Sequence, residues 1–107
     1  MKRKAKVYFC EKVAGELVED SDGYKFEYSQ KYLSLSEAQP ISLTMRLQKE
    51  PFLSKVMFPF FDGLIPEGWL LDIAMETWKI DRRDRMGLLL VCCRDCIGAV
   101  GVEAINE

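Results

Sequence analysis

The apolar residues of this chain change their spacing once, and that change limits the fold more than any other feature. Up to Gln48 they recur mainly at every second position, the period of a strand with one buried face. From Phe60 onward they recur at every third or fourth position, the period of a helix. Strands followed by helices predict an α+β fold, a small mostly antiparallel sheet with two or three helices clustered on one face. A chain of 107 residues has room for one such domain, spanning 1–107, and one modest core.

The strand half divides at its turns. Lys6 to Cys10 and Val13 to Val18 are β-prone runs separated by Glu11-Lys12, which predicts a hairpin. Asp22-Gly23 marks a second tight turn. Beyond it Tyr24, Phe26 and Tyr28 alternate with Lys25 and Glu27, so the three aromatics share one face and complete a meander. Residues 29–40 read as a polar connection. Ile41, Leu43, Met45 and Leu47 alternate with Ser42, Thr44, Arg46 and Gln48, which predicts a fourth strand. Lys49 to Pro59, with two prolines, is expected to be irregular.

In the helical half, Phe60 to Ile65 predicts a short helical turn stopped by Pro66. Pro66-Glu67 then opens a helix reaching about Lys79, with Pro and an acid in its first turn. At about 100° per residue, Leu70, Leu71, Ala74, Met75 and Trp78 gather in one sector, predicting the core-facing stripe. Asp72, Glu76 and Lys79 fall opposite. Trp69 lies about 20° from Glu76, at the edge of the polar face. A third helix is expected to be capped by Asp81 and to run through Met86–Cys93. Ala99 to Ala104 predicts a returning strand.

Composition removes several kinds of chemistry. There is no histidine, hence no Ser-His or Cys-His pair and no imidazole proton shuttle. Formal net charge is −2, so the chain as a whole is not an electrostatic binder of nucleic acid. Lys2, Arg3, Lys4 and Lys6 form a basic cluster, and Arg82, Arg83 and Arg85 another. Without aromatic interleaving or a recognition helix, they are expected to be solvated charges rather than nucleic-acid contacts. Cys93 and Cys96 have CxxC spacing, but only Cys10 remains to supply a fourth ligand, no histidine can help and a second CxxC is missing, so these thiols read as structural and no metal or cofactor is expected. No apolar run reaches the length of a secretory core or a membrane span, and reduced thiols fit a cytoplasmic protein without membrane attachment. Phe61-Asp62-Gly63 holds the residues of the kinase Asp-Phe-Gly motif in a different order. A Gly-rich phosphate loop and a catalytic loop are missing, so no enzyme is predicted.

Two blocks carry a resemblance. Phe60-Phe61-Asp62-Gly63-Leu64-Ile65-Pro66-Glu67-Gly68-Trp69 and Arg94-Asp95-Cys96-Ile97-Gly98-Ala99-Val100 resemble the N-terminal subdomain of HipA-type serine/threonine kinase toxins. The opening hairpin also fits, so the similarity spans nearly the whole chain. Cys93 departs from the glycine usual before Arg-Asp. As a free-standing unit the chain looks like the HipS antitoxins of three-component toxin–antitoxin systems. That resemblance implies a protein that binds and neutralises a HipT-like kinase toxin, alongside a HipB-like DNA-binding protein. It also gives Trp69 a role as an exposed anchor inserted at or near the kinase active site, flanked by Phe61, Asp62, Glu67 and Gly68. Two alternatives stay open: a subunit that completes a split kinase without inhibiting it, and an accessory to operator binding through the N-terminal basic cluster.

Overall fold

The computed structural model describes residues 3–65, 68–92 and 100–105, with Trp69 described by its backbone alone. β1 (Arg3–Phe9), β2 (Lys12–Asp20) and β3 (Gly23–Tyr28) form the expected meander. A short α1 (Gln30–Leu33) and a three-residue β4 (Phe52–Ser54) follow. Then come α2 (Pro59–Asp62), α3 (Trp69–Trp78), α4 (Arg85–Cys92) and β5 (Val100–Ala104). The sheet order is β4-β3-β2-β1-β5, and every neighbouring pair is antiparallel. The α+β expectation holds, and the last strand returns beside β1 with Val102 opposite Val7.

The first hairpin turns one residue earlier than expected. Cys10 (φ 51°) and Glu11 (φ 70°) both adopt positive φ, the requirement of a two-residue turn whose twist matches the strands. Close to this turn, β2 carries a bulge. Val7 pairs with Gly15 and Tyr8 with Val13, so Ala14 is the extra residue, and its carbonyl accepts from Ser29 N at 2.9 Å. The bulge puts Gly15 on the core face, where a Cβ would stand 2.3 Å from the Glu27 carbonyl oxygen. No side chain fits there.

The core face is continuous. Ala5 and Val7 of β1, Leu17 of β2, Phe26 and Tyr28 of β3 and Val102 of β5 are buried together with Phe61, Ile65, Leu71, Met86, Leu88 and Leu89 from the helical half. Phe26 and Phe61 join the two halves directly, their ring centroids 5.6 Å apart.

The expected fourth strand at Ile41–Gln48 is not one. Only an isolated bridge joins Ser42 to Met45, and a turn closes through Met45 N donating to Ser42 O. Ile41 and Met45 both face the core, while Leu43 at the tip is 101% exposed. Two tyrosine hydroxyls explain the shape. Tyr28 Oη accepts from Ile41 N at 3.0 Å and donates to the Met45 carbonyl. Tyr32 Oη donates to Gln39 O at 2.6 Å and accepts from Gln39 N. These phenols supply the partners that a strand would have found in a neighbour. The fourth strand lies instead at Phe52–Ser54, inside the stretch expected to be irregular, paired with Tyr24–Phe26. The polar connection also contains α1, which Ser29 caps through its Oγ, 3.0 Å from Tyr32 N.

Candidate functional site

The motif that carries the resemblance sits where α2 passes into α3. Pro59 opens α2 at its first position, where a missing N–H costs nothing. Four residues later Gly63 ends it, and Leu64 and Ile65 continue as a tight turn. Phe61 is 0% exposed, with Phe58, Phe60 and Phe26 around its ring. Phe61 therefore supports this region from beneath and offers no side-chain surface to a partner. Asp62 is on the surface, its Oδ1 2.6 Å from Arg85 Nε. Glu67 and the Trp69 side chain lie outside the described residues, as does Pro66.

Gly68 makes the entry into α3 possible. Its backbone (φ 64°, ψ −139°) belongs to a region that glycine reaches and other residues do not, although space is open around it. Its carbonyl accepts the first helical bond, from Asp72 N at 3.1 Å. Trp69 is the first residue of α3, and the helix ends at Trp78 with Lys79 in the left-handed conformation. The expected start at Pro66-Glu67 is thus later by one turn.

The core stripe of α3 is narrower than periodicity predicts. Leu71 is buried and Met75 partly so, but Leu70 (50% exposed) and Trp78 (58%), both expected in that stripe, are exposed, as is Ile73 (52%) outside it. The helix packs on α4, and Leu71 and Met75 join the core cluster. A helix that packs chiefly on one neighbour covers a narrow line of side chains and leaves other apolar groups in water. Asp72, Glu76 and Lys79 are exposed, as expected.

α4 has the opposite character. Its expected cap, Asp81, instead forms a turn with Arg83 N. The actual cap is Asp84, whose Oδ1 accepts from Gly87 N at 3.0 Å. The same carboxylate is gripped by Arg3, with Nη2 2.6 Å from Oδ1, while Arg3 Nε reaches Glu19 at 2.6 Å. Tyr24 Oη donates to the other oxygen of Glu19. The Arg3 guanidinium, helped by the Gly87 amide, holds the Asp84 carboxyl below the usual aspartate range, and burial opposes this only in part. Arg3 is itself held in its charged form by hydrogen bonds to Asp84 and Glu19.

These contacts bear on the other candidates. Arg3, part of the N-terminal basic cluster, is committed to two carboxylates inside the molecule, and Arg85 to Asp62. Lys2 lies outside the described residues. Cys10 is exposed at the hairpin tip and Cys92 ends α4, while Cys93 and Cys96 lie outside the described residues. Among the described residues no group of three potential ligands could hold a metal, and no helix is long and apolar enough to cross a membrane.

Comparison with known proteins agrees with this geometry. A solved structure of the N-terminal domain of HipA toxin superposes with a TM-score of 0.72 at 27% identity, covering 98% of this chain and 94% of that one. An uncharacterized protein of Haemophilus influenzae (strain Rd) is 34% identical over 101 residues, 94% of this chain and 92% of that protein. The HipA N-terminal domain pattern matches residues 5–103, from the first buried residue of β1 to the last strand. The chain therefore belongs to the HipA N-terminal domain family.

Proposed function

We propose that this protein is a regulatory binding module that captures and neutralises a HipT-like serine/threonine kinase toxin, in a complex that also contains a HipB-like DNA-binding protein. The observation that carries the reading is the exposure of three large apolar residues on α3: Leu70, Ile73 and Trp78 stand in water immediately after the family motif. Large apolar groups grouped on one helix gain most when a partner desolvates them. Trp69 begins this same helix. In the complex it enters at or near the nucleotide cleft of the kinase, where a bulky ring obstructs phosphoryl transfer or keeps the phosphate loop from closing. Asp62, Glu67 and Gly68 flank that contact, and Phe61 holds its base. In this reading the domain acts on the kinase rather than through chemistry of its own. The cytoplasm, where such kinases act, is its place of work.

Co-expression with a HipT-like kinase tests the proposal. The two proteins are expected to co-purify, growth is expected to recover, and kinase autophosphorylation is expected to fall. Co-purification with unchanged or raised kinase activity would instead identify a subunit that completes a split kinase. Operator binding through the basic cluster has less support, because Arg3 is already paired within the fold.

A further inference from the structure

The start of α4 carries an unusual pair of charges. Helix N-termini favour acids, because the backbone dipole and unpaired N–H groups there are positive. α4 meets that preference at its cap, Asp84, but no acid follows within its first turn, and its first residue is Arg85, preceded closely by Arg82 and Arg83. A cation at that position opposes the helix it belongs to. Something else must be gained from it.

Both Arg85 and Arg82 reach away from α4 toward the motif-bearing segment. Arg85 Nε lies 2.6 Å from Asp62 Oδ1, at the end of α2. Arg82 Nη2 lies 3.5 Å from Asp72 Oδ1, in the first turn of α3. Arg85 Nη1 also donates to the Arg82 carbonyl at 3.2 Å, which ties the two arms together. Asp62 and Asp72 bracket the stretch that contains Gly68 and Trp69. α4 packs against both α2 and α3, and Arg3 of β1 fixes its start to the sheet through Asp84.

We infer that Arg85 and Arg82 are positioning residues that clamp the two ends of the 62–72 segment and set the direction in which α3, and Trp69 with it, leaves the domain. The inference rests on the proposed kinase-binding role of Trp69. Each pair is on the surface and individually weak. Two pairs acting at opposite ends of one short segment nonetheless bias its orientation.

The test uses the full chain, the purified HipT-like kinase, and affinity measured by calorimetry. Arg85→Ala is expected to weaken binding about two- to fivefold while leaving thermal stability unchanged or raised, since α4 loses an opposing charge. In a Trp69→Ala background the same substitution is expected to have no further effect. Loss of equal size with and without Trp69 would overturn the inference, because Arg85 would then contact the kinase itself. No loss in either background would overturn it as well. If the unaltered chain does not bind the kinase, the functional reading fails. The clamp is then decided in the free protein by hydrogen exchange at the Asp72 amide, which donates to Gly68 O. Arg85→Ala combined with Arg82→Ala is expected to speed that exchange about two- to fivefold, and an unchanged rate would overturn the clamp.

Discussion

α3 and α4 lie side by side, are both rich in large apolar residues, and put them to opposite uses. α4 buries Met86, Leu88 and Leu89 completely, over a sheet face made by Ala5, Val7, Leu17 and Val102. Burial of each such side chain stabilises the fold by roughly 1.5–3 kcal/mol. α3 buries Leu71 and leaves Leu70, Ile73 and Trp78 half exposed. Composition alone does not separate a helix that builds a core from one that presents a surface. Position does: α4 connects α2, α3 and β5, whereas α3 packs on α4 from the side.

That contrast is easiest to break at Leu88. Leu88→Ala leaves a cavity in the buried cluster and is expected to cost about 2–5 kcal/mol by denaturant unfolding. A loss below 1 kcal/mol would mean that α4 is not the core helix. Asp84 comes next, because it caps α4 and receives Arg3. Asp84→Ala is expected to cost about 1–2 kcal/mol, and the same site gives the fold a pH dependence. Since the folded carboxyl has the lower pKa, its contribution is complete above the ordinary aspartate range and is lost as pH falls below about 4. Thermal midpoints measured between pH 6 and pH 3 should fall less steeply in Asp84→Asn. Gly68→Ala is expected to cost about 1 kcal/mol through backbone strain alone, as no atom lies in the path of the new methyl. Smallest is the effect on α3: Leu70→Gln with Ile73→Gln should change stability by no more than about 0.5 kcal/mol. A large loss there would place those residues in the core and erase the contrast.

Much of the sheet was legible because its signals are local. Asp22-Gly23 and the aromatic alternation at Tyr24, Phe26 and Tyr28 specify a turn and a face without reference to the rest of the chain. The fourth strand was misread for a reason that is not local. Ile41 and Met45 are spaced as in a strand, but a tight turn places them inward equally well, and the hydroxyls that hold it belong to Tyr28 and Tyr32. The three residues of β4 are too few to show a period. At the candidate site, the motif and the helix that follows it were readable. The rotation of α3 about its axis was not, because it depends on what stands beside the helix. The cap of α4 was expected at Asp81 but is Asp84, whose carboxylate is held by Arg3, 81 residues away in sequence.

The central claim is that α3 belongs to a partner rather than to the core, with Trp69 as its anchor. Its most direct test is the affinity for a HipT-like kinase of Trp69→Ala and of Leu70→Gln/Ile73→Gln, each first shown to unfold at the same denaturant concentration as the unaltered chain. Trp69→Ala is predicted to lose about 2 kcal/mol or more of binding energy and to fail in growth rescue, with a smaller loss for the double variant. Unaltered affinity and full rescue by both, in proteins of unaltered stability, would contradict the account.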